Sequence, residues 1–519
     1  MPYPFDEATR NALAWGLPGA LILLALALPG LARRASPALE RLHTGLLALV
    51  ALLGFGLWTN SNWQNRRYFN PYEFFHYYVG AKYAPELGYT RLYDAAVLVD
   101  RETGFAHGSN DLANLSAHRG GPEYKRLAAV YAEEAAIRAP FTPERWAEFT
   151  RDVCFFRGEL KPEMWEQLLH DKGYNATPVW TLLGGRLAHW GPATSRASLR
   201  GLVALDVLLL AGALGCVAWA FGLRAALFAA ALYWTHHCTS HAHFRAAFLR
   251  TDWLFALVAS LCCLKRERPF TGGVLLAWSA LLRVFPLLFA AGPLLVVGWS
   301  LCAGWTRRAD LRRRSALRFA AGFALAGALL FGASLTLDVG PEGGLESWQD
   351  FQAKIVEHDE RPASDTIGFK KLFTWSVGFR RDQGKELRAR FEELRPLWWT
   401  CQAFFVAGLA WLVRKRPLHQ ALGLSFALVW CLATPAYYYY AFLLVPLLWF
   451  AERSERMTGA LGLALVFASG LCARAFQGGA TFQNYFAFKL SLVMGVLALY
   501  LVASAVLEER ARPRSAAPA

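Results

Sequence analysis

Runs of apolar residues close to membrane-spanning length recur along the chain, and most of what separates them is short and basic. They begin near Asn11, His43, Gly201, Ala225, Asp252, Phe270, Val284, Ala316, Leu397, Ala421, Tyr439, Met457 and Tyr485. A helix needs about 20 apolar residues to cross a hydrocarbon core. The pattern therefore predicts an all-α polytopic membrane protein with about 13 transmembrane helices, the whole chain 1–519 forming one integral membrane domain. The runs within 201–237, 252–302 and 421–451 are the shortest. The leader 1–10 carries Asp6, Glu7 and Arg10 and lacks the basic region of a signal peptide, so the first run reads as a span.

Charge alternates between the connections. One set holds Arg33, Arg34 and Arg41, then Arg224, then Lys265, Arg266 and Arg268. Arg307, Arg308, Arg312, Arg313, Arg314 and Arg318 follow, then Arg414, Lys415 and Arg416, then Arg453 and Arg456, and finally Arg510, Arg512 and Arg514. Short cytoplasmic loops carry such an excess. All these clusters share one side if the N-terminus is outside and the C-terminus cytoplasmic, as in a multi-pass protein of the inner (plasma) membrane. Two long segments, 59–197 and 338–396, then lie outside. Both exceed what a connector needs, and loops of that length are usually functional. Within the first, Tyr124, Leu127, Val130, Tyr131 and Ala135 repeat at three and four, so 122–151 is expected to form amphipathic helices on the membrane face.

Composition agrees with a membrane protein and removes other classes. Apolar residues make up 55% and charged residues only 18%, against about 25% in soluble domains. Disorder and a multidomain soluble enzyme are therefore excluded. The net charge of +15 is mostly an orientation signal, because the excess falls on the short basic loops. Nucleic acid is not an expected partner; membrane lipids are. The nine cysteines sit mostly in apolar runs, with no spacing that suggests zinc or a disulfide framework.

Five places carry candidate chemistry, all on the predicted outer face. The first follows the second span and contains Glu73, His76, Tyr77 and Lys82 among aromatics. On a helix, Glu73, His76 and Tyr77 would share a face, and a low dielectric would suit Glu73 to accept a proton from an alcohol. An aromatic interface belt around one solvated Glu is the plainer alternative. The second place holds His236, His237, His241 and His243 with Arg245 and Arg250. No spacing there matches a metal motif, and a cationic wall for an anionic group fits better. The third is Arg283 with Pro286, an isolated cation that breaks two apolar runs. The fourth contains Lys370 and Lys371, and the fifth joins Thr434 and Pro435 to four tyrosines beginning at Tyr437. Ordinary interfacial or snorkelling residues would also account for the second, third and fifth.

Taken together, the chain resembles a polytopic GT-C glycosyltransferase, nearest to glycosyltransferase family 87, the polyprenol-phosphate-mannose-dependent mannosyltransferase-like group. Glu73 to Lys82, followed by Leu92-Tyr93-Asp94, resembles the opening of that family's first outer loop. Tyr174 to Trp180 resembles the aromatic-proline stretch that ends it, Arg283 to Pro286 the basic-x-x-Pro motif, and Thr434-Pro435 the Ser/Thr-Pro motif near a late span. Ser364 to Leu372 matches the second outer loop more loosely. Members commonly have Asp where this chain has Glu73.

The resemblance implies transfer of a sugar, a hexose such as mannose, from a polyprenyl-phosphate carrier to an acceptor hydroxyl on a glycan, lipid or protein. Glu73 would be the catalytic general base. His76, Tyr77, Lys82, His241, His243, Arg245, Arg250, Arg283, Lys370, Lys371 and Tyr437 would bind substrate, with Trp63 also available to the sugar. A phosphate-activated donor needs no nucleotide, and the chain contains no Walker or dinucleotide fingerprint. No cofactor and no metal ligands are expected, with a divalent metal left open. Two other classes remain open: a transporter or flippase of a lipid-linked or anionic solute, and a non-catalytic GT-C relative.

Overall fold

Every predicted apolar run folds as helix in the computed structural model. The structure describes residues 5–34, 36–63, 69–108, 111–113, 124–171, 173–240, 246–302, 307–337, 343–360, 366–375, 384–477 and 483–511. Eight helices among them are long and apolar enough to cross a membrane: Glu7–Arg34, Pro37–Thr59, Arg196–Phe221, Phe285–Cys302, Asp310–Ser334, Glu386–Val413, Met457–Phe476 and Tyr485–Ala511. The remaining runs form the shorter helices Leu223–Thr235, Asp252–Lys265, Pro269–Leu282, Leu418–Leu432 and Tyr437–Ala451. Leu23, Leu208, Leu329 and Phe404 stand exposed on the long helices. Such faces are a liability in water and ordinary in lipid. The chain is a helix-dominated, multi-pass membrane protein.

The shorter helices are short because their backbones break. Leu223–Thr235 ends at His236 and gives way to a 3-10 turn, His237–Ser240. Asp252–Lys265 starts after the irregular loop 246–251. Pro269–Leu282 stops at Arg283, whose φ and ψ of −145° and 134° are extended, and Phe285–Ala290 is 3-10. A 3-10 segment, Tyr437–Leu443, precedes Leu444–Ala451. Broken backbone leaves polar groups that lipid cannot satisfy, so protein must cover it. The first long segment donates to the carbonyls of Ala246, Leu249 and Leu281, and the second to that of Pro435.

In the first long segment, much of 124–151 is helical, as expected. Tyr124–Arg126 is a strand paired antiparallel with Asp111–Ala113, so the fold is not purely helical. The helices Leu127–Ala132, Glu134–Arg138 and Pro143–Gly158 follow. Thr142 caps the last of these, accepting a hydrogen bond from the Arg145 amide, with Pro143 in the first turn. Val130, Ile137, Phe149, Val153 and Phe156 are buried among Trp146, Trp165 and Leu168. Protein covers these apolar side chains. In the second long segment, the helix Gly384–Val413 begins inside 338–396 and continues through Pro396 into the next apolar run. Lys354, from the helix Gly344–Glu360, donates to the carbonyls of Tyr89 (2.6 Å) and Tyr174 (2.5 Å) and ties the two long segments together.

Between the apolar helices, close approach takes the place of the hydrophobic effect, which lipid removes. Pro269–Leu282 packs along Arg307–Ser334. A Cβ on Gly273 would lie 2.2 Å from the Phe319 carbonyl oxygen, and one on Gly322 2.2 Å from that of Phe270. This contact braces the helix that ends at Arg283. Gly273→Ala is expected to cost about 1–3 kcal/mol through overpacking and to lower the detergent-solubilised melting temperature. Gly16→Ala, with nothing within 4 Å of its new Cβ, is expected to leave it unchanged or raise it slightly.

Candidate functional site

Glu73 occupies a short helix, Pro71–Phe74, whose start is written in its sequence. The Asn70 side chain accepts from the Tyr72 and Glu73 amides, and Pro71 sits in the first turn. A π-helical turn, Phe75–Val79, follows directly. Such turns are uncommon and recur at functional sites. Only 3% of Glu73 is exposed, and its Oε2 meets Arg250 Nη2 at 3.1 Å, both side chains buried. The dry environment expected of Glu73 is there, but the carboxylate is not isolated in it. Arg250, expected at a substrate phosphate, is its partner.

Arg250 is delivered by a strained loop. Ala246 and Leu249 have φ of 52° and 47°, a region costly for side chains with a Cβ. The loop is held from several directions. Asp206, inside the helix Arg196–Phe221, accepts from the Arg250 amide (3.0 Å), the Thr251 amide (2.8 Å) and the Thr251 hydroxyl (2.5 Å). The Asn70 amide donates to the Ala246 carbonyl at 2.7 Å, so the loop is fixed to the residue that caps the Glu73 helix. Trp180 Nε1 donates to the Leu249 carbonyl and Trp253 Nε1 to that of Arg250. These bonds satisfy buried backbone that has no helix to join.

Tyr77 is the centre of the arrangement. Its ring lies 4.2 Å from the Arg250 guanidinium carbon and 5.5 Å from that of Arg283, within cation–π range. Its hydroxyl donates to Asn175 Oδ1 at 2.7 Å. Burial pushes the phenol up, against the pull of Arg250 and Arg283, to about 12, so it stays a neutral donor at physiological pH. Arg283 is 7% exposed, and Nη1 reaches only the carbonyl of Leu282. Among the described residues, its Nε and Nη2 have no hydrogen-bond partner. Thr177 links this region to the first long segment: it caps the helix Pro178–Ala188 and donates to the Leu281 carbonyl at 2.7 Å.

No protein-family model matches the sequence, and no curated protein matches it.

Several sequence-predicted residues thus meet at one place, and others do not. Glu73, Tyr77, Arg250 and Arg283 come together. Glu73 and Tyr77 share Arg250, whereas His76 turns away to the Tyr93 hydroxyl at 2.7 Å. Tyr439 and Tyr438 lie within electrostatic reach of Arg250, and Tyr439 packs on Phe285 and Trp253. Tyr437 instead packs on Phe486. Lys82 is buried against Asp152 and Glu148, both at 2.7 Å, with the Tyr83 hydroxyl also on Asp152. Its ammonium is committed to the core of the first long segment. The second segment joins the tyrosine run through Thr366, which bridges to Ala436, and Ile367, whose amide donates to the Pro435 carbonyl. Lys371 is buried in the following 3-10 turn, and Lys370 lies over the Phe391 ring at 5.2 Å. His241, His243 and Arg245 lie outside the described residues, as does the side chain of Trp63. Among the described residues, no group of three or more His, Cys, Asp or Glu is placed to hold a metal.

Sequence reasoning passed over Asp206 and Asp252. A signal existed for both: each is a lone acidic residue within or at the edge of an apolar run, where charge is costly and serves a purpose. Removing one partner of a buried ion pair strands the other. Arg250→Ala is therefore expected to cost about 3–5 kcal/mol in thermal unfolding, and adding Glu73→Gln to it to recover part of that loss. Full additivity of the two would contradict the pairing.

Proposed function

We propose that the protein is a membrane glycosyltransferase of the GT-C kind, moving a hexose such as mannose from a polyprenyl-phosphate carrier to an acceptor hydroxyl. The observation that carries this reading is Arg283: a buried guanidinium with two unbonded nitrogens, sharing the Tyr77 ring with the Glu73–Arg250 pair. A buried cation calls for an anionic partner, and a lipid phosphate meets that need beside a carboxylate able to take a proton. The resemblance of four motifs to family 87 supports the same reading, as does the Tyr77–Asn175 hydrogen bond that joins two of them.

In this reading the acceptor oxygen forms a bond to the anomeric carbon of the sugar. The bond from that carbon to the phosphate oxygen breaks, and its electron pair leaves with the lipid phosphate. Glu73 takes the hydroxyl proton, Arg250 holds Glu73 in place, and Arg283 stabilises the charge growing on the departing phosphate. The remaining elements follow: about 13 spans, the long segments outside, the N-terminus outside, the C-terminus cytoplasmic, and residence in the inner (plasma) membrane.

Glu73→Gln, assayed in purified form with polyprenyl-phosphate sugars, is expected to lose on the order of 10²–10⁴-fold in transfer rate while eluting as a folded protein. Arg283→Gln is expected to lose transfer and to weaken the binding of bare polyprenyl phosphate. Wild-type turnover by Glu73→Gln would remove it from the base role.

A further inference from the structure

Two buried ionisable side chains at this site are electrostatic neighbours that make no contact with each other. Asp252 is 1% exposed and Arg283 is 7% exposed, and each is an electrostatic neighbour of the other. They form no ion pair. Asp252 Oδ1 accepts from the Trp253 amide at 2.8 Å, and Oδ2 has no hydrogen-bond partner among the described residues. Arg283 leaves Nε and Nη2 unbonded. Buried polar atoms left in that condition call for a polar group to complete them. The complement must donate to a carboxylate and accept from a guanidinium, and a hydroxyl group does both.

The walls narrow the choice. Trp253 and Phe285 meet edge to face at 5.1 Å, and Tyr439 packs against both, at 5.9 and 5.1 Å. Tyr439 is half-buried. A carboxylate and a guanidinium bordered by aromatic rings suit a ring that carries hydroxyls on its edge and C–H groups on its face. The fold also prevents Asp252 from closing the distance itself. It begins the helix Asp252–Lys265 directly after Thr251, which Asp206 fixes through both amide and hydroxyl. Trp253, the next residue, is held by Nε1 on the Arg250 carbonyl, and its own carbonyl accepts from Ser279.

We propose that Asp252 is a sugar-binding residue: Asp252 Oδ2 accepts a hydrogen bond from a hydroxyl of the transferred hexose, with Arg283 spanning that hydroxyl and the lipid phosphate and Tyr439 flanking the ring. This rests on the sugar-transfer reading above and assigns it a donor-sugar subsite separate from Glu73. The residue selects the sugar; it performs no chemistry.

Asp252→Asn is the informative variant. The amide keeps an oxygen for the Trp253 amide and turns its NH₂ toward the ligand, where it cannot accept. Equilibrium binding would be measured in nanodiscs for polyprenyl-phosphate mannose, polyprenyl-phosphate glucose and bare polyprenyl phosphate, with thermal unfolding recorded alongside to establish the fold. Wild type is expected to hold at least one sugar lipid more tightly than the bare lipid. Asp252→Asn is expected to weaken that sugar lipid roughly 10- to 100-fold, the range of a hydrogen bond to a charged group, and to leave the bare lipid unchanged. Tyr439→Ala should weaken the same sugar lipid and spare the bare one. If wild type discriminates and Asp252→Asn discriminates equally well, the Asp252 assignment is overturned while the transfer reading stands. If wild type binds no sugar lipid better than the bare carrier, both fall.

Discussion

A carboxylate taken out of water must be met by a cation held at the right distance, and this constraint organises the site. Glu73 and Arg250 come from parts of the chain far apart in sequence, and both are buried. Their attraction repays desolvation only if geometry is kept. The chain keeps it by placing Arg250 on a loop whose unfavourable φ values at Ala246 and Leu249 are held by Asp206, Asn70, Trp180 and Trp253. Asn70 caps the helix of Glu73 and also binds the loop of Arg250, so one residue sets the position of both partners.

From that pair the rest of the site follows outward. Tyr77 packs its ring under Arg250 and brings in Arg283, which ends a broken helix. The helix before the break is braced by the Gly273 and Gly322 crossing. Beyond Arg283, Phe285 and Tyr439 connect to the tyrosine run, and that run to the second long segment through Thr366 and Ile367. Lys354 closes the circuit by joining the two long segments. Irregular backbone is therefore concentrated where charge is concentrated. Such segments are tolerable in a membrane protein when protein covers them, and they supply the carbonyls, amides and strained turns that regular helices withhold.

Much of this was readable before any coordinates. Apolar length alone located the long apolar helices, because the cost of unsatisfied backbone in lipid leaves few alternatives. Glu73, Tyr77, Arg250 and Arg283 stood out as charges or aromatics in unusual places. What local pattern could not convey was pairing. Arg250 looks like a free cation until Asp206 and Asn70 are seen to aim its loop at Glu73, and Lys82 looks available until Asp152 and Glu148 take it. The three-and-four repeat around 124–135 was a real helical signal in part, but Glu133 interrupts it, and protein covers Val130 on its apolar side. Asp206 and Asp252 were visible as lone acids; their roles depend on neighbours more than forty residues away in one case and about thirty in the other.

In the proposed mechanism, Glu73, Arg250 and Arg283 serve the transfer of a lipid-borne sugar. The most direct measurement is reconstitution of the wild-type protein in sealed liposomes with polyprenyl phosphate carrying a labelled sugar, followed by separation of lipids, acceptors and internal contents. This mechanism predicts time-dependent appearance of label in a new glycosidic product together with release of polyprenyl phosphate. Label that crosses the bilayer while still attached to its original carrier, or that stays unmoved across a full panel of sugars and acceptors, would contradict it.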